Sequence, residues 1–481
     1  MGGRSKFCRR GFLLGVGATA LSACGGSSGG NPTSSAAGLS GGNPTPTPSP
    51  STSPNAVSVR QFYSSEDGEN LQPAFQRAID YAAQNNLPKV LNDLGLNRGE
   101  MWAPRRTSPY GLQTDGIPLV VSSAVELDFA GIHFDLKGPE GRPRIEGQQV
   151  SGYSKPWLGG WLYVVGNPAL DTVTVRNVSV DGHFEGDFTK NEDANLTDKG
   201  FRVQDTLLNK VVLSNVQLCN FGGEIYYIGG HGPYQQELVD CHFHGSPQAA
   251  FNPGGLGRLK ATRLQAGRAY QAAEVLGGAG HEYRQSRFYE SGRGGASFFG
   301  GPAPHFREGF PYWYSYWDGV GEPPWIHFEE TRFEDIDFVN FGSWIRGSIT
   351  AQDSPICTFP RVGHLRSLDL DIDAIAHRKR GLEAVGVHGI EAEQVQVPGC
   401  PPGTWYQRPS DIGMRLRCSR TEEAAKNSFH FQTGFGFYGT LIDSATARLA
   451  ISGSALSAIE IWERRTGFTL PNIDMTGFTN I

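Results

Sequence analysis

Short segments in which apolar and polar residues alternate recur along most of the chain. Val175, Val178 and Val180 are spaced like Leu213, Val216 and Leu218, like Leu238, Cys241 and Phe243, and like Leu259, Thr262 and Leu264. The same arrangement returns in 283–288, 328–333, 365–370 and 390–395. A second pattern closes on paired glycines, and Gly229, Gly254, Gly277 and Gly300 follow one another at intervals of 25, 23 and 23 residues. Runs this short, alternating inward and outward, cannot carry a 3.6-residue period, so a helical repeat is excluded. Two interleaved strand patterns sharing one period predict a coil of several short strands, with successive coils stacked in parallel. Asn177 and Asn215 fall at matching bends, where asparagine tolerates the left-handed conformation and can bond a neighbour above or below.

The predicted fold is therefore all-β, a right-handed single-stranded parallel β-helix. The open end of such a solenoid needs a cover against edge-to-edge pairing. An α-helix over Asn70–Gln84 supplies it: Leu71, Phe75, Ala78, Ile79, Ala82 and Ala83 share one face, Asn70 is placed as N-cap, and Pro73 stands in the first turn. The β-helix domain is read as 57–407, with an aromatic insertion at 305–327. Past Gln407 the period fades, and 408–481 reads as β-rich coils or a C-terminal cap.

Composition agrees with many strands and turns: 64 glycines and 30 prolines against only four methionines. A net charge of -6 offers no concentrated basic surface, which argues against nucleic acid as a partner. Residues 1–23 read as a targeting segment, because Arg4, Lys6, Arg9 and Arg10 precede an apolar stretch, Gly11 to Ala23, too short to span a bilayer. Arg9 and Arg10 before Phe12, Leu13 and Leu14 resemble a twin-arginine signal, with Cys8 where Ser or Thr is usual. Leu21, Ser22, Ala23 and Cys24 resemble the lipobox of bacterial lipoproteins, which implies lipidation of Cys24; a plain signal peptide cut near Ala23 is the alternative. Residues 24–56, rich in Gly, Ser, Thr and Pro, form a flexible tether. The expected partners are thus the twin-arginine export machinery and a membrane reached through the lipid alone, with the protein held at the bacterial cell envelope. Besides Cys24, five cysteines would remain, an odd number, and none has zinc-site spacing.

Val57 to Phe62, then Asp67, Gly68 and the run Ala74 to Ala83, resemble the N-terminal signature of the pectate-lyase-like β-helix superfamily. The segment from Ala124 to Gly131 is similar to the first coil after that cap. The resemblance covers about Val57 to Val397. It implies a polysaccharide partner lying across one parallel sheet, met in that superfamily by lyases, hydrolases, epimerases and phage tailspikes.

Taking the glycine-ended strands as that sheet, alternation predicts Phe201, Ile225, Ala250, Ala273 and Ala296 inward, with Val203, Tyr227, Asn252, Val275 and Phe298 as a second inward row. Arg202, Tyr226, Phe251, Glu274 and Ser297 are then expected outward. A cation, aromatics and a carboxylate on consecutive rungs suit an acidic sugar polymer. Inverting hydrolysis wants two carboxylates about 6.5 to 9.5 Å apart; Glu274 is alone in its row, and Asp205, Glu224 and Glu282 are the available second acids. Uronate elimination needs instead a positive group and a base, which Arg202 with Tyr226 or His231 could supply. No Asp-Asp pair precedes Gly230, His231 and Gly232, so that tripeptide departs from the hydrolase pattern and is more often a turn than a catalytic histidine.

Two further stretches stand out. Asp181 to Asp198 could hold calcium through side-chain and backbone oxygens, but such a run is usually a solvated loop; no cofactor is otherwise evident. His305 to His327 carries Tyr312, Trp313 and Trp317 among other aromatics, either as a wall of a glycan groove with Phe251 or as a loop burying its own rings. The leading expectation is an envelope-anchored lyase or hydrolase of an acidic or complex polysaccharide, with Glu274, Arg202, Tyr226 and His231 at its centre. The rival is a non-catalytic glycan-binding or structural β-helix lipoprotein.

Overall fold

A computed structural model describes residues 55–104, 116–143, 160–165, 170–191, 198–204, 208–229, 235–254, 257–278, 280–300, 325–341, 344–354, 356–358, 367–376, 385–389, 411–420, 429–433, 447–455, 459–463 and 473–480. The predicted helix forms as α1, Gln72–Gln84, and buries Ala74, Phe75, Ala78, Ile79 and Ala82 against the first coils. Its N-cap position is Leu71 rather than Asn70, yet Asn70 still accepts from the Gln72 N–H at 3.2 Å and from the Trp102 N–H at 3.0 Å. One side chain thereby ties the start of the cap to the coil beneath it. No helix among the described residues is long and apolar enough to cross a membrane.

Beyond α1 the chain is a stack of parallel strands. Leu170–Asp181 pairs with Leu208–Cys219, which pairs with Gln235–Ala249, and parallel pairing continues through Phe478–Asn480. Each coil bends at a residue with positive φ: Asn177 at 56°, Asn215 at 54°, Asp240 at 54° and Arg263 at 53°. At the bend Asn177 Nδ2 donates to Asp128 Oδ1 and Asn215 Nδ2 donates to Asn177 Oδ1, both at 3.1 Å. The inter-coil asparagine bond expected from the sequence is thus present. On Ser367–Ala376, Leu370 and Ile372 are buried while Asp371 and Asp373 face water, the one-sided wetting that alternation predicts.

A second face carries five short parallel strands: β1 (Leu119–Val121), β2 (Leu162–Val164), β3 (Phe201–Gln204), β4 (Tyr226–Gly229) and β5 (Phe251–Asn252). Their register contradicts part of the sequence reading. Tyr226 pairs with Phe201 and with Phe251, and all three rings point inward, fully buried, with centroids 5.6 and 5.3 Å apart. The glycine pairs mark where these strands end, but spacing taken from them is one residue off on either side of β4 and β5. A slip of one residue exchanges the two faces of a strand. Tyr226 and Phe251 are therefore core residues, and Tyr227 and Asn252, expected inside, are the outward ones. The Tyr226 hydroxyl is satisfied in the core, donating to Gln236 Oε1 at 2.8 Å.

Candidate functional site

The corrected register produces one continuous outward row. Tyr163 on β2 pairs with Arg202 on β3, and Arg202 with Tyr227 on β4, and Tyr227 with Asn252 on β5. The next coil pairs Ala249 with Gln271, which brings Glu274 beside Asn252. The row goes on through Ser297 and Asn340. Arg202, Glu274 and Ser297 keep the outward orientation expected of them.

The row is recessed rather than solvated. Glu274 is 8% exposed, and Asn252 Nδ2 donates to its Oε2 at 3.2 Å. Burial, reinforced by the negative charge of Glu224 and opposed by Lys199, pushes the Glu274 carboxyl up to about 7. Such a group exchanges a proton readily at neutral pH, the property a general acid or base requires.

Beside the row lies a buried ion pair that the sequence did not disclose as a pair. Lys199 donates to Glu224 Oε2, and its Nζ sits 3.4 Å from the centre of the Tyr227 ring. Desolvation pulls the Lys199 ammonium below its ordinary range, while Glu224 and Glu274 hold it up and Arg202 adds to the lowering. Lys199, Arg202, Glu224 and Glu274 are thus electrostatically linked, and Lys199 is the cation coupled to Glu274. Arg202 instead turns its guanidinium over the Tyr163 ring, 4.5 Å from the centroid, one coil in the direction away from Glu274. Asp198 braces the turn that delivers Lys199: its carboxylate accepts from the Gly160 and Gly222 N–H groups, and Gly223 N–H donates to its carbonyl.

The structure thus brings together Glu274 and Glu224 from the sequence-predicted acids, adds Lys199, Tyr227 and Asn252, and removes Tyr226 and Phe251. Glu282 lies elsewhere, on Glu282–Arg284, whose neighbours are Lys260 and His327. His231, Asp205, Tyr312, Trp313, Trp317 and Cys24 lie outside the described residues. Asp198 at the end of the acidic stretch serves the turn just described, and no group of three or more His, Cys, Asp or Glu with metal-binding geometry occurs among the described residues.

No protein-family model and no curated protein matches the chain. Solved structures do. The A-module of a mannuronan C-5 epimerase from Azotobacter vinelandii aligns over 88% of this chain and 99% of its own, at 13% identity and a TM-score of 0.50. The fold is a right-handed parallel β-helix. A second epimerase A-module from the same organism aligns over the same shares, 88% and 99%, at 13% identity and a TM-score of 0.48. A DFA-IIIase from Arthrobacter chlorophenolicus aligns over 85% of this chain and 99% of its own, at 10% identity and a TM-score of 0.30. At 13% identity the first of these likenesses speaks for the architecture alone.

Proposed function

We propose that this β-helix acts on an acidic, uronate-containing polysaccharide by general acid-base chemistry, with Glu274 taking the proton from the carbon beside the uronate carboxylate. The observation that carries the reading is Glu274 itself, a recessed carboxylic acid pushed up to about 7 within a buried network containing Lys199. A structural acid gains nothing from such a position, whereas proton transfer near neutral pH needs it. With Glu274 ionised, as a base must be, the linked set of Lys199, Arg202, Glu224 and Glu274 sums to two positive and two negative charges; once Glu274 has taken the proton the set carries a net +1, which offsets the charge left on the substrate. As the proton leaves carbon, negative charge grows on that carboxylate, and the Lys199 ammonium is the group that stabilises it. Tyr227, beneath Lys199, offers a phenolic hydroxyl to protonate the departing glycosidic oxygen. Elimination is favoured over hydrolysis because the second acid, Glu224, is already committed to Lys199.

The N-terminal pattern around Arg9, Arg10 and Cys24 supports export and lipid anchoring at the cell envelope, which labelled-lipid incorporation lost in Cys24→Ser would test. The reaction itself is tested by incubating the protein with a panel of uronate polymers in deuterated water. Unsaturated product, new reducing ends and deuterium at the carbon beside the carboxylate are followed together. Product that vanishes in Glu274→Gln supports the reading; binding without product or exchange supports the non-catalytic alternative.

A further inference from the structure

The outward row is chemically lopsided about Glu274. Towards α1 it carries Asn252, Tyr227, Arg202 and Tyr163, with the Lys199 and Glu224 pair alongside. Towards the C-terminal coils the same register places four positions, Ser297, Asn340, Cys357 and Gly386, before it reaches His430 and Glu460. None of these four positions contributes a carboxylate, an ammonium or a guanidinium. At about 4.8 Å per rung they extend the row by about 19 Å, room for more than one sugar unit.

Within that uncharged stretch, Asn340 is 3% exposed, and its buried Oδ1 meets no donor among the described residues. A buried amide oxygen without a donor costs about 1 to 3 kcal/mol, and such groups in folded proteins normally have a reason. Ser297, one rung nearer Glu274 and 8% exposed, adds a hydroxyl that can both donate and accept. An amide oxygen and a hydroxyl suit sugar hydroxyls. A carboxylate set down beside them would lose its water and find no cation on these four rungs.

We infer that Ser297 and Asn340 form a subsite for an uncharged sugar, so that the substrate is a heteropolymer joining uronate to neutral units rather than a polymer of uronate alone. The inference rests on the proposed reaction at Glu274 and narrows its substrate: the charged unit lies on the Lys199 side, the neutral one on the Asn340 side. Part of the discrimination is repulsive, since a homopolymer must force a carboxylate onto the uncharged rungs beside Glu274.

The test uses the whole protein and three probes: polygalacturonate, mannuronan, and a rhamnogalacturonan backbone in which galacturonate alternates with neutral rhamnose. The expected result is a kcat/KM at least tenfold higher on the mixed backbone. Asn340→Leu should lose activity on that backbone through KM rather than kcat. Ser297→Arg, which introduces a cation, should move the preference towards polygalacturonate. A homopolymer used as well as or better than the mixed backbone, or wild-type KM in Asn340→Leu, overturns the inference while leaving Glu274 chemistry standing. Absence of product from all three, with circular dichroism showing an intact fold, overturns the reaction on which it rests.

Discussion

The bend between the long strands and the outward row of β2 to β5 are built from the same repeat and solve opposite problems. At the bend polar side chains pair from coil to coil: Asp128, Asn177 and Asn215 bond in series, and Arg263 grips Asp240 on the neighbouring coil. These groups are half-buried or exposed and owe the fold nothing but stability. Along the outward row, polar groups are recessed and only partly satisfied. Glu274 is held near neutrality by burial, Lys199 is stripped of water, and Asn340 lacks a donor among the described residues. A solenoid can afford unfavourable local choices on one face because each coil is held by its neighbours on all the others. The contrast teaches where to look: stability devices repeat from coil to coil, whereas chemistry shows as a departure from satisfaction.

Mutations should separate the two regions sharply. The largest effect is expected from Glu224→Gln, which leaves Lys199 buried without its counter-charge and should cost about 3 to 5 kcal/mol in denaturant unfolding. Because burial already pulls Lys199 below its ordinary range, the deficit should shrink as pH rises and Lys199 sheds its proton. Next is Glu274→Gln, with the opposite sign. The folded carboxyl is raised from 4.5 to about 7, so its stabilising contribution is complete below pH 4.5 and is lost as pH climbs to 7. Relative to wild type, the variant should therefore gain about 3 kcal/mol between pH 4 and pH 8. Unfolding curves at the two pH values measure it, and a pH-independent difference would place the Glu274 titration elsewhere.

At the bend, Asn177→Ala removes two inter-coil hydrogen bonds and leaves a β-carbon at φ 56°, for an expected loss of about 2 kcal/mol without change in any activity. Smallest of all, Arg263→Gln breaks an exposed ion pair and should leave the melting temperature where it was. If Arg263→Gln proved as damaging as Glu224→Gln, the distinction between the two regions would fail.

The architecture was legible because periodicity survives a changing sequence. Inward apolar positions, asparagine at the bends and an amphipathic cap each repeat a physical requirement that the next coil imposes again. The face of the short strands was less legible, because β4 offers an aromatic residue at both alternating positions, Tyr226 and Tyr227, and β5 is only Phe251 and Asn252. Neither ring declares its side, and only pairing with Phe201 settles it. Glu274 and Arg202 were found because a charge between apolar neighbours in a strand can only face out. Lys199 was missed because it lies in the turn before β3. One signal for it did exist: the 25 residues between Lys199 and Glu224 match the interval from Phe201 to Tyr226, so the two must meet on adjacent coils.

In the proposed reaction a recessed carboxylic acid on the outward row performs the proton transfer. That role is tested most directly by the pH dependence of kcat/KM on whichever uronate polymer yields product, for wild type and Glu274→Gln side by side. The wild-type rate should rise with pH through one apparent pKa near 7, and the variant's should be lower by roughly 100-fold or more with that limb gone. A Glu274→Gln protein that keeps both the rate and the limb would contradict it.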